Sequence, residues 1–371
     1  MKIINGKVFG ADGYFEDREL YIEEGRFVSQ AGGGEVIDVQ GAYVVPGFTD
    51  VHFHGCMGID VCDANDDDLR KIAVFQAQNG VTQIIPATMT LAKDRLRTIF
   101  RKIGETEVSQ GAMFMGVHME GPFVSKEKLG AQNPAYVAKP DLELFEELQE
   151  LAKGKIKIIS MAPETEGAMD FISKVADRVT VSLAHTVSDY ETAMQAFNSG
   201  ARQVTHIYNA MPAFTHRAPG VIGAAFDNEG VRAEIICDGV HIHPTVIRAT
   251  FKMFGRDRMI LISDSMRATG LGDGEYDLGG QKVVVCGRCA EIPGVSIAGS
   301  VTRLFDCFRY AVSIGIPLED AVLAATHNPA KNVGIWEEVG GLQEGQWANF
   351  LLLDRELNLK EVYIKGRKVE R

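Results

Sequence analysis

Two histidines stand two residues apart in the stretch TDVHFHG, Thr49 to Gly55, where an apolar run gives way to glycine. In an extended strand residues i and i+2 face one side, so His52 and His54 would point together while Val51 and Phe53 point away. Imidazole is costly to bury without a partner. Glu120, His185, His206 and Asp264 each close a later apolar run. Singly, such residues are usually polar packing or helix caps. Converging at one place, they would repel or stay unsatisfied unless a cation sat among them. Zinc-like metals favour such nitrogen and oxygen ligands, and catalytic sites leave a position open for water.

Convergence requires a scaffold that brings distant positions together. Eight apolar strand candidates, at 48–54, 82–87, 113–120, 156–162, 180–185, 203–207, 232–237 and 259–264, are each followed by a helical stretch. DDDLRKIAVFQAQNG and SDYETAMQAFNSG carry acidic starts and a glycine stop. Eight alternating units predict an α/β fold with a (β/α)8 TIM-like barrel over 46–337, its active site at the C-terminal strand ends. His52 and His54 then close strand one, Glu120 strand three, His185 strand five, His206 strand six and Asp264 strand eight. Short alternating segments at 1–45 and 338–371 predict one small β-sandwich built from both chain ends. A Gly-rich segment at 272–298 reads as a β-hairpin insertion.

The charge balance, 38 basic against 50 acidic residues, is −12 over 371 residues. That argues against nucleic acid or an anionic membrane as partner, and requires a local cationic pocket for any anionic substrate. Without an apolar signal region at the start, and with six scattered cysteines, the chain is expected in the reducing cytoplasm. Cys286 and Cys289 form a lone CxxC and are read as strand and turn residues.

The motifs DVHFHG, HMEGPF, AHT, THIYNAM, DGVHIHP, ISDSMRATG and THNPAKNVG run in that order along the chain. They resemble the amidohydrolase superfamily and, within it, the N-acetylglucosamine-6-phosphate deacetylases. The resemblance implies that His52 and His54 hold one metal, His185 and His206 another, and Glu120 bridges or serves both. One or two divalent ions are expected, zinc first, with iron, cobalt or manganese as alternatives. A divalent metal lowers the pKa of water towards 7, making it a nucleophile for the acetyl carbonyl. Asp264 is the candidate general base, returning the proton to the departing amine.

By the same resemblance Arg217 and His241 bind the sugar phosphate, with backbone help at Asn209 and Ala210. The arginine is expected to reach in from the mate of a homodimer. Ala131, Gln132, Ile297, Ala298 and Gly299 complete the expected substrate-binding set. Gln132 stands where some relatives place a histidine that polarises the substrate carbonyl; an amide can donate there but adds no charge. Lys126, Lys128 and Gly130 suggest that this loop is a mobile lid, and a simple surface loop fits the sequence equally well. His118 and His327 are read as structural, and His243 as a loop histidine. Dihydroorotase-like cyclic-amide hydrolases use a lysine at the end of strand four, where IISMAPE has none. The galactosamine epimer is the near alternative; amino-acid deacylation and a non-catalytic scaffold are more distant.

Overall fold

The computed structural model describes residues 1–30 and 32–371. Phe48–Asp50, Val81–Ile84 and Met113–Phe114 form one parallel sheet. Val117–Glu120, Ile156–Met161, Thr180–Leu183, Gln203–Val204, Arg232–Ile236 and Met259–Ile262 form a second, paired in chain order. A parallel bridge between Ala87 and His118 joins the two sheets at one edge. At the other edge the Asp264 amide donates to the His52 carbonyl at 2.9 Å.

These strands are covered on both sides, which is why their sequences run apolar rather than alternating. Ile159, Val181, Leu183, Ile235 and Leu261 are all buried. Helices follow the strands and lay one stripe against them. In Lys93–Glu105 that stripe is Leu96, Ile99, Phe100 and Ile103, the three-and-four spacing of one helical face. Asn65 starts Asp66–Gln78 with a capping box, accepting from the Asp68 amide while the Asp68 carboxylate accepts from its own. No helix among the described residues is long and apolar enough to cross a membrane.

The expected strands are longer than the observed ones. Strand one ends at Asp50, strand five at Leu183, strand six at Val204 and strand eight at Ile262. The side chains expected at strand ends therefore sit just beyond them. His185, His206 and Asp264 adopt left-handed backbone, with φ of 46°, 29° and 48°. Such turns end ladder pairing and tip a side chain inward, a conformation costly for non-glycine residues.

The Gly-rich insertion is also richer than one hairpin. Gly274–Leu278, Gln281–Cys286, Cys289–Ile292 and Ser296–Ile297 make a four-stranded antiparallel sheet. Each of its three turns contains a glycine at positive φ, at Gly279 and Gly280, Gly287, and Gly294. Cys286 and Cys289 face each other across the Gly287–Arg288 turn.

Strands from both chain ends share a six-stranded sheet in which Tyr43–Pro46 pairs antiparallel with Phe350–Leu353. A four-stranded sheet contains Lys2–Ile4, Leu20–Glu23, Arg26–Val28 and Val36–Asp38. Ile3, Val8, Leu20, Ile22, Phe27, Val44, Phe350 and Tyr363 form a core of their own. Phe350 stacks on Tyr363 with ring centres 4.4 Å apart and also touches Phe27. Replacing this fully buried ring, Phe350→Ala, is expected to lower stability by about 3–5 kcal/mol in urea unfolding.

Candidate metal centre and active site

Glu120, the last residue of Val117–Glu120, is the hub. Its Oε1 lies 3.1 Å from His185 Nε2, 3.2 Å from His206 Nε2 and 3.5 Å from His52 Nε2. Its Oε2 lies 3.4 Å from His54 Nε2. Asp264 Oδ1 lies 3.3 Å from His54 Nε2 and 3.7 Å from His52 Nε2, and the two Nε2 atoms of His185 and His206 are 3.2 Å apart. All six side chains are buried.

The proton positions decide what these contacts mean. His185 Nδ1 faces the Lys128 carbonyl at 2.9 Å, an acceptor, so Nδ1 carries a proton. A neutral ring then turns the Nε2 lone pair toward Glu120 and His206. His52 Nδ1 likewise faces Glu234 Oε2 at 3.0 Å, while its buried Nε2 has no hydrogen-bond partner. Lone pairs aimed at a carboxylate repel unless a cation stands between them. A tetrahedral ion with ligands near 2.0 Å holds its donor atoms about 3.3 Å apart, and the contacts at Glu120 run from 3.1 to 3.5 Å. The donor set fits a divalent cation in two overlapping groups, His52–His54–Glu120 and Glu120–His185–His206.

Charge follows the same logic. Burial works against an ionised Glu120, yet His52, His185 and His206 hold its pKa well below the carboxylate range. Burial lowers the pKa of His52, but Glu120 and Glu234 outweigh it and the pKa ends well above normal. Asp264 is pulled down to about 2: burial opposes ionisation, and the bond from His54 with the charges of His52, His54 and His206 wins. Protons supply the positive charge when no ion does, so protons and metal compete for this centre.

A cavity of about 570 Å³ opens on the cluster, within the range that encloses a small ligand. His54, Glu120, His185, His206 and Asp264 line it, as do Ala131, Gln132, Asn209, Ala210, His241, Ile297 and Gly299. His52 lies beneath the floor, fully buried. Ala298 is buried behind the lining and donates its amide to Ala290. Arg217 is not in the cavity: it is exposed and lines a second one with Asp189, Tyr190 and Asp227. The Asn209 amide is already spent on the His206 carbonyl at 3.0 Å, so it is not the free backbone donor expected there.

Gln132 departs furthest from expectation. Its Nε2 donates to Glu120 Oε2 at 2.9 Å and its Oε1 accepts from the Thr90 amide at 2.7 Å. The amide lines the cavity while holding the hub carboxylate. Its loop is pinned as well, by the His185 bond to Lys128, by Ser125 N on the His185 carbonyl, and by Gln281 Nε2 on the Ala131 carbonyl.

Two carboxylates escaped the sequence reading. Glu234 is fully buried beneath His52; its signal was a charge inside the apolar run RAEIIC. Asp238 bonds the His241 ring at 2.7 Å and the Val240 and His241 amides at 2.9 Å each. It stands three residues before His241 in a motif already noticed. His118 bonds Val51 and Ser160, His243 caps Pro244–Phe254, and His327 packs between Phe9 and Trp336, all structural as expected.

Known proteins match this chain from end to end. The amidohydrolase family profile covers residues 43–369. An N-acetylglucosamine-6-phosphate deacetylase of Lysinibacillus sphaericus is 34% identical, across 98% of this chain and 96% of its own. An N-acetylgalactosamine-6-phosphate deacetylase of Escherichia coli O157:H7 is 28% identical, across 96% of each. A solved N-acetyl-D-glucosamine-6-phosphate deacetylase mutant of Mycobacterium smegmatis, in complex with N-acetyl-D-glucosamine-6-phosphate, superposes with a TM-score of 0.91 at 30% identity, covering 100% of this chain and 99% of that one. The chain belongs to the amidohydrolase family, among the N-acetylglucosamine-6-phosphate deacetylases.

Proposed function

We propose that this protein hydrolyses the N-acetyl group of N-acetyl-D-glucosamine 6-phosphate, giving glucosamine 6-phosphate and acetate in amino-sugar breakdown. The observation that carries the reading is the set of lone pairs converging on Glu120 in a cavity of sugar-phosphate size. His52 and His54 would hold one ion, His185 and His206 a second, with Glu120 shared; zinc is the proposed metal. Bound there, a divalent cation lowers the pKa of water and polarises a carbonyl. Asp264, ionised and beside the cluster, accepts the proton of the attacking water at its carboxylate. It returns that proton to the amine nitrogen, a poor leaving group until protonated.

The supporting scaffold reads as a closed (β/α)8 barrel over 46–337, with a β-sandwich from 1–45 and 338–371. The pairing across both sheet edges and the separate terminal core support that division. The six unpaired cysteines suit the reducing cytoplasm, the compartment we propose.

At the phosphate end, His241 is the anion-binding group inside the cavity. Burial lowers its pKa, but the Asp238 bond and the charges of Asp238 and Asp264 raise it overall. Arg217 belongs to a homodimer in this reading: exposed outside its own cavity, it is free to supply a guanidinium fork to the phosphate of a second copy.

Three measurements test the reading. Acetate release from the phosphorylated glucosamine and galactosamine substrates should favour the former, vanish with chelator and return with zinc. Asp264→Asn should keep metal and lose about 10²–10⁴-fold in kcat; full turnover by chelated protein or by this variant would refute the mechanism. Arg217→Ala should raise KM for the phosphorylated sugar far more than for its unphosphorylated counterpart, and an equal rise for both excludes the phosphate role.

A pH profile tests His241. Its imidazolium attracts phosphate, so KM should climb as pH rises through the raised pKa. Asp238→Asn removes the main raising partner and should move that climb to lower pH. The substrate's own phosphate ionisation is common to both proteins, so coincident profiles would remove His241 from the phosphate site.

A further inference from the structure

Beneath the histidine pair, Arg232–Ile236 carries Glu234, a carboxylate with no solvent exposure. Its Oε2 lies 3.0 Å from His52 Nδ1 and accepts from the His206 amide at 3.2 Å. Its Oε1 accepts from Gln203 Nε2 at 2.6 Å. Gln203 Oε1 in turn accepts from Asn332 Nδ2, and the Asn332 carbonyl accepts from Thr180 Oγ1 at 2.8 Å. The Glu234 carboxylate bonds only donors, while nearby His118 is occupied by Val51 and Ser160, so the His52 proton is placed on Nδ1 and its Nε2 lone pair faces the cluster.

The two halves of the centre are backed differently. His185 leans on a neutral carbonyl, that of Lys128, whereas His52 leans on a carboxylate. The buried Nδ1 atoms of His54 and His206 have no hydrogen-bond partner. A carboxylate behind an imidazole fixes its tautomer and makes it a stronger metal donor, typically by 10–100-fold in affinity.

We propose that Glu234 is a positioning residue chiefly for the His52–His54 ion: it backs the His52 ring directly and so sets the affinity of that half, whereas it touches the His185–His206 half only at the His206 backbone amide. The inference rests on the two-ion reading of the site. Glu234→Gln is the informative change. A glutamine cannot accept from His52 and from Gln203 together unless Gln203 turns and abandons Asn332.

The test is dialysis of the metal-free protein against a zinc-buffer series, with bound zinc measured by elemental analysis. Wild type, Glu234→Gln, Glu234→Asp and His52→Asn are compared, alongside thermal unfolding of each metal-free form. Wild type should take two ions and His52→Asn one. Glu234→Gln should weaken one of the two by about 10–100-fold and the other far less. Glu234→Asp, which keeps the charge, should lose less, and carries the test should the glutamine variant fail to fold. Two unchanged constants in Glu234→Gln overturn the proposal. Equal weakening of both ions with a lowered unfolding temperature also overturns it, marking Glu234 as scaffold. A wild type that takes a single ion, indifferent to His52→Asn, refutes the two-ion reading itself and the inference with it.

Discussion

One buried carboxylate organises this molecule. Glu120 sits within 3.5 Å of four imidazole nitrogens, almost without solvent. An isolated charge at such depth would be prohibitive, and so would the lone pairs that His52 and His185 aim at it. The arrangement makes sense only if positive charge is brought in, as protons or as a metal. Everything that holds the four imidazoles in place therefore works against a standing electrostatic repulsion, which explains how much rigid structure surrounds so few atoms.

The rigidity has visible costs. Three of the converging residues, His185, His206 and Asp264, hold left-handed backbone, a strain of about 1–3 kcal/mol each for non-glycine residues. Each is locked by neighbours. The Asp264 amide donates to His52 and its carbonyl accepts from Ser300, so the base of the four-stranded insertion is stitched to the proposed proton carrier. Gly299 allows that approach: a Cβ there would lie 3.0 Å from the Asp264 carbonyl oxygen, at a φ of +62°. The insertion is thus part of the site's frame as well as its rim.

The ligand types and their order were legible in the sequence because parallel strands read as apolar runs and their polar ends stand out against them. The shared sheet of the chain ends was legible for a different reason, the short alternating segments at both termini. What escaped were partners that only a folded interior creates. Glu234 looked like one more charge in a strand, since nothing local says that His52 will rest on it. Gln132 was read from its motif as facing substrate. The fold also sets it on Glu120, in a loop tied down by the His185 contact to Lys128. A side chain's type is written in the sequence; the direction it takes at a loop is set by bonds from elsewhere in the chain.

The charge distribution shows how an acidic protein can handle an anion. With a net charge of −12, the long-range field repels a sugar phosphate, so attraction has to be short-range and directional. Within the cavity the basic groups are Lys126, Lys128 and the histidines, and His241 is the one backed by a carboxylate outside the metal cluster. Asp238 and Glu234 then do the same physical job at opposite ends of the site: each accepts from an imidazole Nδ1 and so decides what the far nitrogen presents. At Glu234 the far nitrogen, His52 Nε2, would offer its lone pair to the proposed cation. At His241 the ring, its pKa raised, would offer a proton to the phosphate in the proposed reading. The same pairing of residue types thus suits opposite charges: Glu120 stands 3.5 Å beyond the His52 ring, whereas the His241 ring lines the cavity.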